Sequence, residues 1–180
     1  YNMTMNLTYA TSTPDSRSIS IPELRSVFGD RLITPSDAGY DEVRTVFYGD
    51  IDRRPALIIR ARNATDVSHV VSLARDSGLE LAVRSGGHSI AGHGVAGGGI
   101  VLDLSNMKAI EFDVARRTAW AETGLTAGEY TTAAGALGLA TGFGDTGSVG
   151  TGGITLGGGV GYLVRKYGRT IDDVLAAEVA

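Results

Sequence analysis

The sequence predicts an α+β fold in two small lobes, a parallel β-α-β lobe followed by a mixed or antiparallel one. Three observations predict it. Residues 56–83 read strand, helix, strand, an order that needs a crossover and so gives parallel strands. Residues 109–122 read as two short strands flanking the charged turn Val114-Ala115-Arg116-Arg117. Glycine is unevenly placed: Gly29, Gly39, Gly49 and Gly78 are the only ones before residue 86, and the rest of the 26 fall within 86–168. Glycine at that density, interleaved with apolar residues and without a period of three, marks backbone that bends sharply or lies close to a ligand. The two lobes are expected to meet there.

The elements follow in order. Residues 1–20, rich in Thr, Ser and Asn, read as a lead-in, and residues 1–39 as a leading segment with one short helix ahead of a domain spanning 40–180. Ile21-Pro22-Glu23-Leu24-Arg25 opens that helix, with Pro in its first turn. Tyr40-Asp41-Glu42-Val43 opens another. Ala56 to Arg60 is a strand-type apolar run. Asn63 caps the next helix, with Asp66 three residues on. Val67, Val70, Val71 and Ala74 form its apolar face, and Gly78 ends it. Leu79 to Val83 is the second strand of a parallel pair. Ile100 to Leu104, Ala109 to Asp113 and Thr118 to Glu122 are further strands, and Ala127 to Leu137 a helix stopped by Gly138. A glycine-rich passage, 142–161, precedes Tyr162 to Gly168. A last strand is expected from Val174 to Ala180; its reaching the final residue reads as part of a longer protein.

Composition excludes several classes. The 180 residues carry 16 Lys+Arg against 20 Asp+Glu, a net charge of -4, with 43% hydrophobic content. An acidic chain lacks the clustered cations that nucleic-acid phosphates require. The absence of Cys removes disulfides, thiolate metal sites and cysteine nucleophiles. No apolar run reaches the roughly 18 residues of a membrane span, and none is expected as a membrane partner surface. No signal peptide is read in the opening residues. Localisation stays open, with the cytoplasm favoured.

Two GxGxxG matches, at 92–97 and 142–147, lack the strand-before, helix-after context of a dinucleotide-binding turn, and no P-loop is present. Arg84-Ser85-Gly86-Gly87-His88-Ser89 says more. It follows directly on a strand, its glycines permit a tight turn, and its successive N–H groups suit an anion such as a pyrophosphate, with His88 delivered beside it. A lone histidine is nonetheless most often an ordinary loop residue. His69 reads as a half-buried or solvated helix residue and His93 as a loop residue; three scattered histidines make no metal site. Glycine fills half of 144–161, a poor helix or strand by propensity. A flat ligand against bare backbone would explain it, as would a flexible surface loop. Val149, Ile154, Leu156 and Val160 within it argue against simple exposure. The sequons at Asn2, Asn6 and Asn63 are read as chance.

Four blocks in order carry a resemblance. They are Arg84-Ser85-Gly86-Gly87-His88, Gly99-Ile100-Val101-Leu102-Asp103-Leu104-Ser105-Asn106-Met107, Val149-Gly150-Thr151-Gly152-Gly153 with Gly157-Gly158-Gly159-Val160-Gly161, and Arg165-Lys166-Tyr167-Gly168. Together they resemble the PCMH-type FAD-binding domain of the vanillyl-alcohol oxidase superfamily, nearest its berberine-bridge-enzyme-like and 6-hydroxynicotine-oxidase-like branch.

The resemblance implies a two-lobed domain with FAD between the lobes. It implies that Arg84, Ser85, Gly86, Gly87, His88 and Ser89 wrap the pyrophosphate, with Gly92 also among the cofactor-binding residues. It implies that Thr146, Gly147, Ser148, Gly150, Gly152, Gly153, Gly157, Gly159 and Gly161 lie along the flavin and its ribityl chain. His88 matches the histidine bonded covalently to the flavin 8α-methyl carbon. Thr146 stands where many relatives carry a second attaching Cys, so the link here would be through His88 alone. Ile154 replaces a histidine of some relatives, and Arg169-Thr170-Ile171-Asp172-Asp173 departs mildly from the family run. The implied activity is oxidation of a small alcohol, sugar or amine, with O2 or another acceptor taking the electrons. A catalytic base is expected beyond residue 180. The alternatives are a noncovalent FAD reductase of the same fold and a flavin-free binding protein that keeps it.

Overall fold

A computed structural model describes residues 19–179. Residues 1–18, with the Asn2 and Asn6 sequons and most of the expected lead-in, and Ala180 lie outside the described residues. The chain runs through α1 (Ile21–Phe28), β1 (Leu32–Ile33), α2 (Tyr40–Val43), β2 (Leu57–Arg60), α3 (Ala64–Ser77), β3 (Leu81–Arg84) and β4 (Ile100–Asp103). It continues with β5 (Ile110–Asp113), β6 (Thr118–Ala121), α4 (Ala127–Ala136), α5 (Thr151–Leu156) and α6 (Val164–Tyr167). The α+β expectation holds: one mixed sheet with helices, and one separate antiparallel hairpin.

The first sheet has the order β1-β2-β4-β3, with β1 antiparallel to β2 and the other three strands parallel. The expected β-α-β unit is present, but its two strands are not neighbours; β4 lies between them. The reason is burial. Ile100-Val101-Leu102 is apolar at every position, as a strand covered on both faces must be. β3, by contrast, leaves Val83 exposed and takes an edge. β1 is too short for its pattern to show in the sequence.

Side chains alternate between the two faces of this sheet. On one face Leu57, Ile59, Ile100 and Leu102 pack under Leu24 and Phe28 of α1 and Val70 and Ala74 of α3. On the other, Ile58, Ala82 and Val101 pack with Tyr40, Val95 and Ala96. The α3 stripe is narrower than the sequence implies, since Val71 is exposed. Its ends are as expected: Asn63 Oδ1 accepts the Asp66 N–H at 2.9 Å, and Gly78 closes the helix at φ 69°.

At the C-terminal ends of the parallel strands, Arg60, Asp103 and Arg84 stand in register. Arg84 Nη2 donates to Asp103 Oδ2 at 2.9 Å, with side chains only 7% and 5% exposed. The Ser105 N–H donates to Asp103 Oδ1 at 3.0 Å, and Arg84 Nη1 to the Thr45 carbonyl at 3.4 Å. Burial pushes the Asp103 carboxyl up, but the Arg84 charge and the Ser105 amide outweigh it and hold the group below its ordinary range. Arg60 Nε approaches the same carboxylate at 3.5 Å without forming a hydrogen bond.

The second lobe is smaller. β5 and β6 pair antiparallel across the predicted turn, where Arg117 adopts φ 55°. Thr126 and Glu129 form a capping box at the start of α4, and Lys108 pairs with Glu129. Phe112, Tyr130 and Phe143 meet edge to face, with centroids 5.8 and 5.0 Å apart.

Three expectations are corrected in the glycine-rich half. The passage 142–161 is not loop throughout, because α5 forms inside it with Gly152 and Gly153 in its turns. Of its apolar residues Val149 and Ile154 are half-buried, but Leu156 and Val160 are exposed. The last strand is absent: Thr170–Asp173 is a 3-10 turn, and 174–179 has no regular structure. A strand needs a neighbour to satisfy its N–H and C=O groups, and no described strand offers one there. No helix among the described residues is long and apolar enough to cross a membrane.

The buried ion pair generates a prediction. Asp103→Asn leaves the Arg84 charge uncompensated and is expected to cost about 3–5 kcal/mol in denaturant melts. Because the folded carboxyl titrates below its unfolded value of about 3.9, its stabilisation is present above that pH and is lost as pH falls through the folded pKa. The wild type should therefore lose stability on acidification below about pH 4, and the difference from Asp103→Asn should shrink over that window. An Asp103→Asn chain with wild-type stability at pH 7 would remove the pair from the account.

Candidate functional site

Two glycine loops cross between the lobes. The first, 85–92, leaves the end of β3. The second, 144–150, leads into α5. At the crossing there is no room for a side chain on either strand of backbone: a Cβ on Gly86 would lie 2.2 Å from the Gly150 nitrogen, and one on Gly150 would lie 2.1 Å from the Gly86 nitrogen. Beside it, Ser85 Oγ donates to the Thr123 carbonyl, tying β3 to the segment before α4.

The second loop is zipped to that same segment. The Ala127 and Gly128 N–H groups donate to Val149 and Gly147 carbonyls, each at 2.8 Å, and the Thr151 N–H donates to the Leu125 carbonyl at 2.9 Å. Thr151 Oγ1 adds a bond to the same carbonyl at 3.0 Å. These bonds tie 147–151 to 125–128, with a single antiparallel bridge between Thr126 and Gly150.

Past the crossing, Gly87 has φ 72° while neither neighbour has a positive φ. That alternation turns successive N–H groups to one side of the chain, an anion-binding nest. Among the described residues, no acceptor is found for the N–H groups of Gly86, Gly87, His88 and Ser89. Half-buried backbone donors without a partner are uncommon. Further on, Gly92 sits at φ 74°, and its carbonyl and that of Val95 accept from Arg53 Nη1 at 2.9 and 3.0 Å. The His93 N–H donates to Ser89 Oγ at 3.1 Å, closing the loop on itself.

His88 is held on two sides. Its ring stacks on Phe47, with centroids 4.1 Å apart and planes at 20°. Its Nε2 is 3.1 Å from Ser148 Oγ of the second loop. Phe47 is anchored in turn by its N–H donating to the Gly87 carbonyl at 3.1 Å.

The other residues of the expected set fall into two groups. Thr146 and Gly147 line an open cavity of about 260 Å³ with Thr131, Tyr162 and Leu163, and Thr146 Oγ1 bonds Asp145 at 3.2 Å. A Cβ on Gly153 would meet nothing within 4 Å. The rest are shaped by the protein itself. Arg84 is turned into the sheet on Asp103, so its charge is not offered to a ligand. Gly152 packs on Thr123, Gly157 lies over the Gly153 carbonyl, Gly159 on Thr170 and Gly161 on the Phe143 carbonyl. The sequence reading missed Phe47 and Thr123. Each lies in a segment without periodicity, and no sequence signal points to either. No group of three His, Cys, Asp or Glu suited to a metal is found among the described residues.

Residues 55–180 match a family described as an FAD binding domain. The chain belongs to this family. It is 42% identical over 146 residues to the (R)-6-hydroxynicotine oxidase of Paenarthrobacter nicotinovorans, covering 81% of this chain and 32% of that protein. It is 36% identical over 138 residues to berberine bridge enzyme-like 14 of Arabidopsis thaliana, covering 74% of this chain and 26% of that protein. The crystal structure of 6-hydroxy-D-nicotine oxidase from Arthrobacter nicotinovorans superposes with a TM-score of 0.78 at 42% identity, over 80% of this chain and 32% of that one. The chain thus spans about a third or less of the length of these relatives.

The crossing and the open glycine respond differently to one methyl group. Gly86→Ala is expected to force the loops apart, at the roughly 1–3 kcal/mol typical of overpacking. Gly153→Ala has open space and a helical backbone, and is expected to leave the apo chain equally stable or up to about 1 kcal/mol more so. Thermal melts of the two variants beside wild type check this. Equal melting of Gly86→Ala and wild type would show that the loops do not cross as closely as 2.2 Å implies.

Proposed function

We propose that the chain is the cofactor-holding part of an FAD-dependent oxidoreductase in which His88 carries the flavin covalently. The observation that carries this reading is the unpartnered amide run of Gly86 to Ser89, placed at the lobe crossing with His88 inside it. The fit is chemical as well as geometric. A pyrophosphate needs convergent donors, and this chain of net charge -4 offers them from its backbone. Gly87 supplies the turn that aims those donors, and Ser89 and Arg53 brace the far side of the loop. The second loop offers exposed backbone at Thr146 to Ser148 and again at Gly153 for a flat ring to lie against.

Bound FAD supplies the electron acceptor for a substrate C–H bond and passes the electrons on to O2 or another acceptor. The substrate is a small alcohol, sugar or amine. No residue among the described ones is assigned as the base for it. His88 acts as an anchor rather than a proton carrier. Its Nε2 is engaged by Ser148, and its Nδ1 makes no hydrogen bond to a described residue, so Nδ1 is the nitrogen available for attachment. With no Cys in these 180 residues, Thr146 and its neighbours offer no thiol for a second link.

The full-length protein should be yellow, and acid precipitation should leave the flavin on the peptide containing His88. His88→Ala should release all flavin on precipitation yet still bind FAD reversibly, because the pyrophosphate donors are backbone. Mapping of the wild-type flavin to any other residue would overturn the assignment. A colourless full-length protein that takes up no added FAD would overturn the function.

A further inference from the structure

We propose that Ser148 and Phe47 are positioning residues for His88, which together hold its ring so that Nδ1 presents a lone pair for attachment. This rests on the covalent reading above and extends it to two residues that do not themselves react. A histidine on a loop turns freely about two side-chain bonds and exchanges its proton between two nitrogens. Only the tautomer with the proton on Nε2 leaves Nδ1 with a lone pair. Phe47, stacked at 4.1 Å and 20°, restricts the ring plane. Ser148 Oγ, 3.1 Å from Nε2, restricts rotation within that plane and turns Nδ1 away from the second loop; with the hydroxyl as acceptor the proton sits on Nε2 and Nδ1 keeps its lone pair.

Both clamps are themselves fixed, which makes the arrangement more than a chance contact. Phe47 is tied to the first loop through the Gly87 carbonyl and meets Tyr48 edge to face at 5.2 Å. Ser148 sits between Gly147 and Val149, whose carbonyls are both bonded to the start of α4. His88 therefore belongs to one loop while its Nε2 is engaged by the other. It follows that attachment waits for the two lobes to dock.

The covalent step balances as follows. One imidazole N–H and one 8α-methyl C–H are exchanged for an N–C bond. Dioxygen takes the two electrons and two protons and leaves as hydrogen peroxide. Ser148 and Phe47 are unchanged by it.

The test is the first-order rate of covalent incorporation when FAD is added to flavin-free full-length protein, read as acid-stable flavin against time. The dissociation constant of the initial reversible complex is measured beside it by fluorescence. Ser148→Ala and Ser148→Val are expected to slow incorporation about tenfold, the factor that one hydrogen bond of 1.4 kcal/mol is worth. Ser148→Thr, which keeps the hydroxyl, should restore the rate to near wild type. Phe47→Leu should slow it as well. In Ser148→Ala, Ser148→Val and Phe47→Leu the incorporation rate should fall by a clearly larger factor than the reversible dissociation constant rises, since the pyrophosphate donors are untouched. A purely structural role would move both quantities together. Wild-type rates in Ser148→Ala and Ser148→Val, or equal loss in Ser148→Thr, would overturn the role of Ser148. Wild-type protein with no acid-stable flavin, or with flavin retained in His88→Ala, would overturn the covalent reading itself and this proposal with it.

Discussion

The close approach of the Gly86 and Gly150 backbones is the constraint on which the rest of the structure depends. Two chains can pass at that distance only if neither carries a Cβ, and only if something outside the crossing holds them there. The first loop is held by the parallel sheet that ends in Arg84. The second is held by its ladder to Leu125–Gly128. Ser85 bridges the two through Thr123, and Ser148 bridges them through His88. The first sheet has its core on its own two faces, so the crossing with these two side-chain bridges is what sets the amide run against the second loop.

The buried Arg84–Asp103 pair is the foundation of that crossing rather than a part of the site. It lies at the last register of β3 and β4, one residue before the first loop begins. Burying two charges costs several kcal/mol of solvation each unless geometry and further hydrogen bonds offset it. Here Ser105 and Thr45 supply those bonds from the segments flanking the loop. The pair thus fixes the direction in which residues 85–89 leave the sheet. An arginine expected to meet the anion is spent on internal order, and the donors that remain open in the candidate site are neutral amides.

What was legible in the sequence follows from how local each cause is. The cap at Asn63, the stop at Gly78 and the hairpin at 109–122 depend on residues a few positions apart, and all are present as read. The strand order was not legible in the pattern of β3, because position in a sheet depends on burial against remote partners. The uniform apolar run of β4 did contain the signal for a central place. α5 was missed because its propensity is poor; it forms because its N-terminal residues are already zipped to α4's leading segment. For the candidate site, glycine density pointed to both loops but could not tell which of their glycines are packed by the protein and which are open. Gly86, Gly150, Gly152, Gly159 and Gly161 are glycine because protein backbone or side chain occupies the space, and only the structure separates them from Gly153.

That distinction bears on why an acidic chain builds its site this way. A cluster of cations would attract a pyrophosphate, but each would need room, ordering of a long side chain, and neutralisation when no ligand is bound. Backbone N–H groups need none of these. Their position is set once the sheet, the buried ion pair and the crossing are in place, and they hold no net charge to repel the neighbouring Arg84 or Arg53. The proposed site requires that no side chain intrude, which fits a segment of glycine with a single histidine, and that histidine takes its orientation from stacking on Phe47 and contact with Ser148.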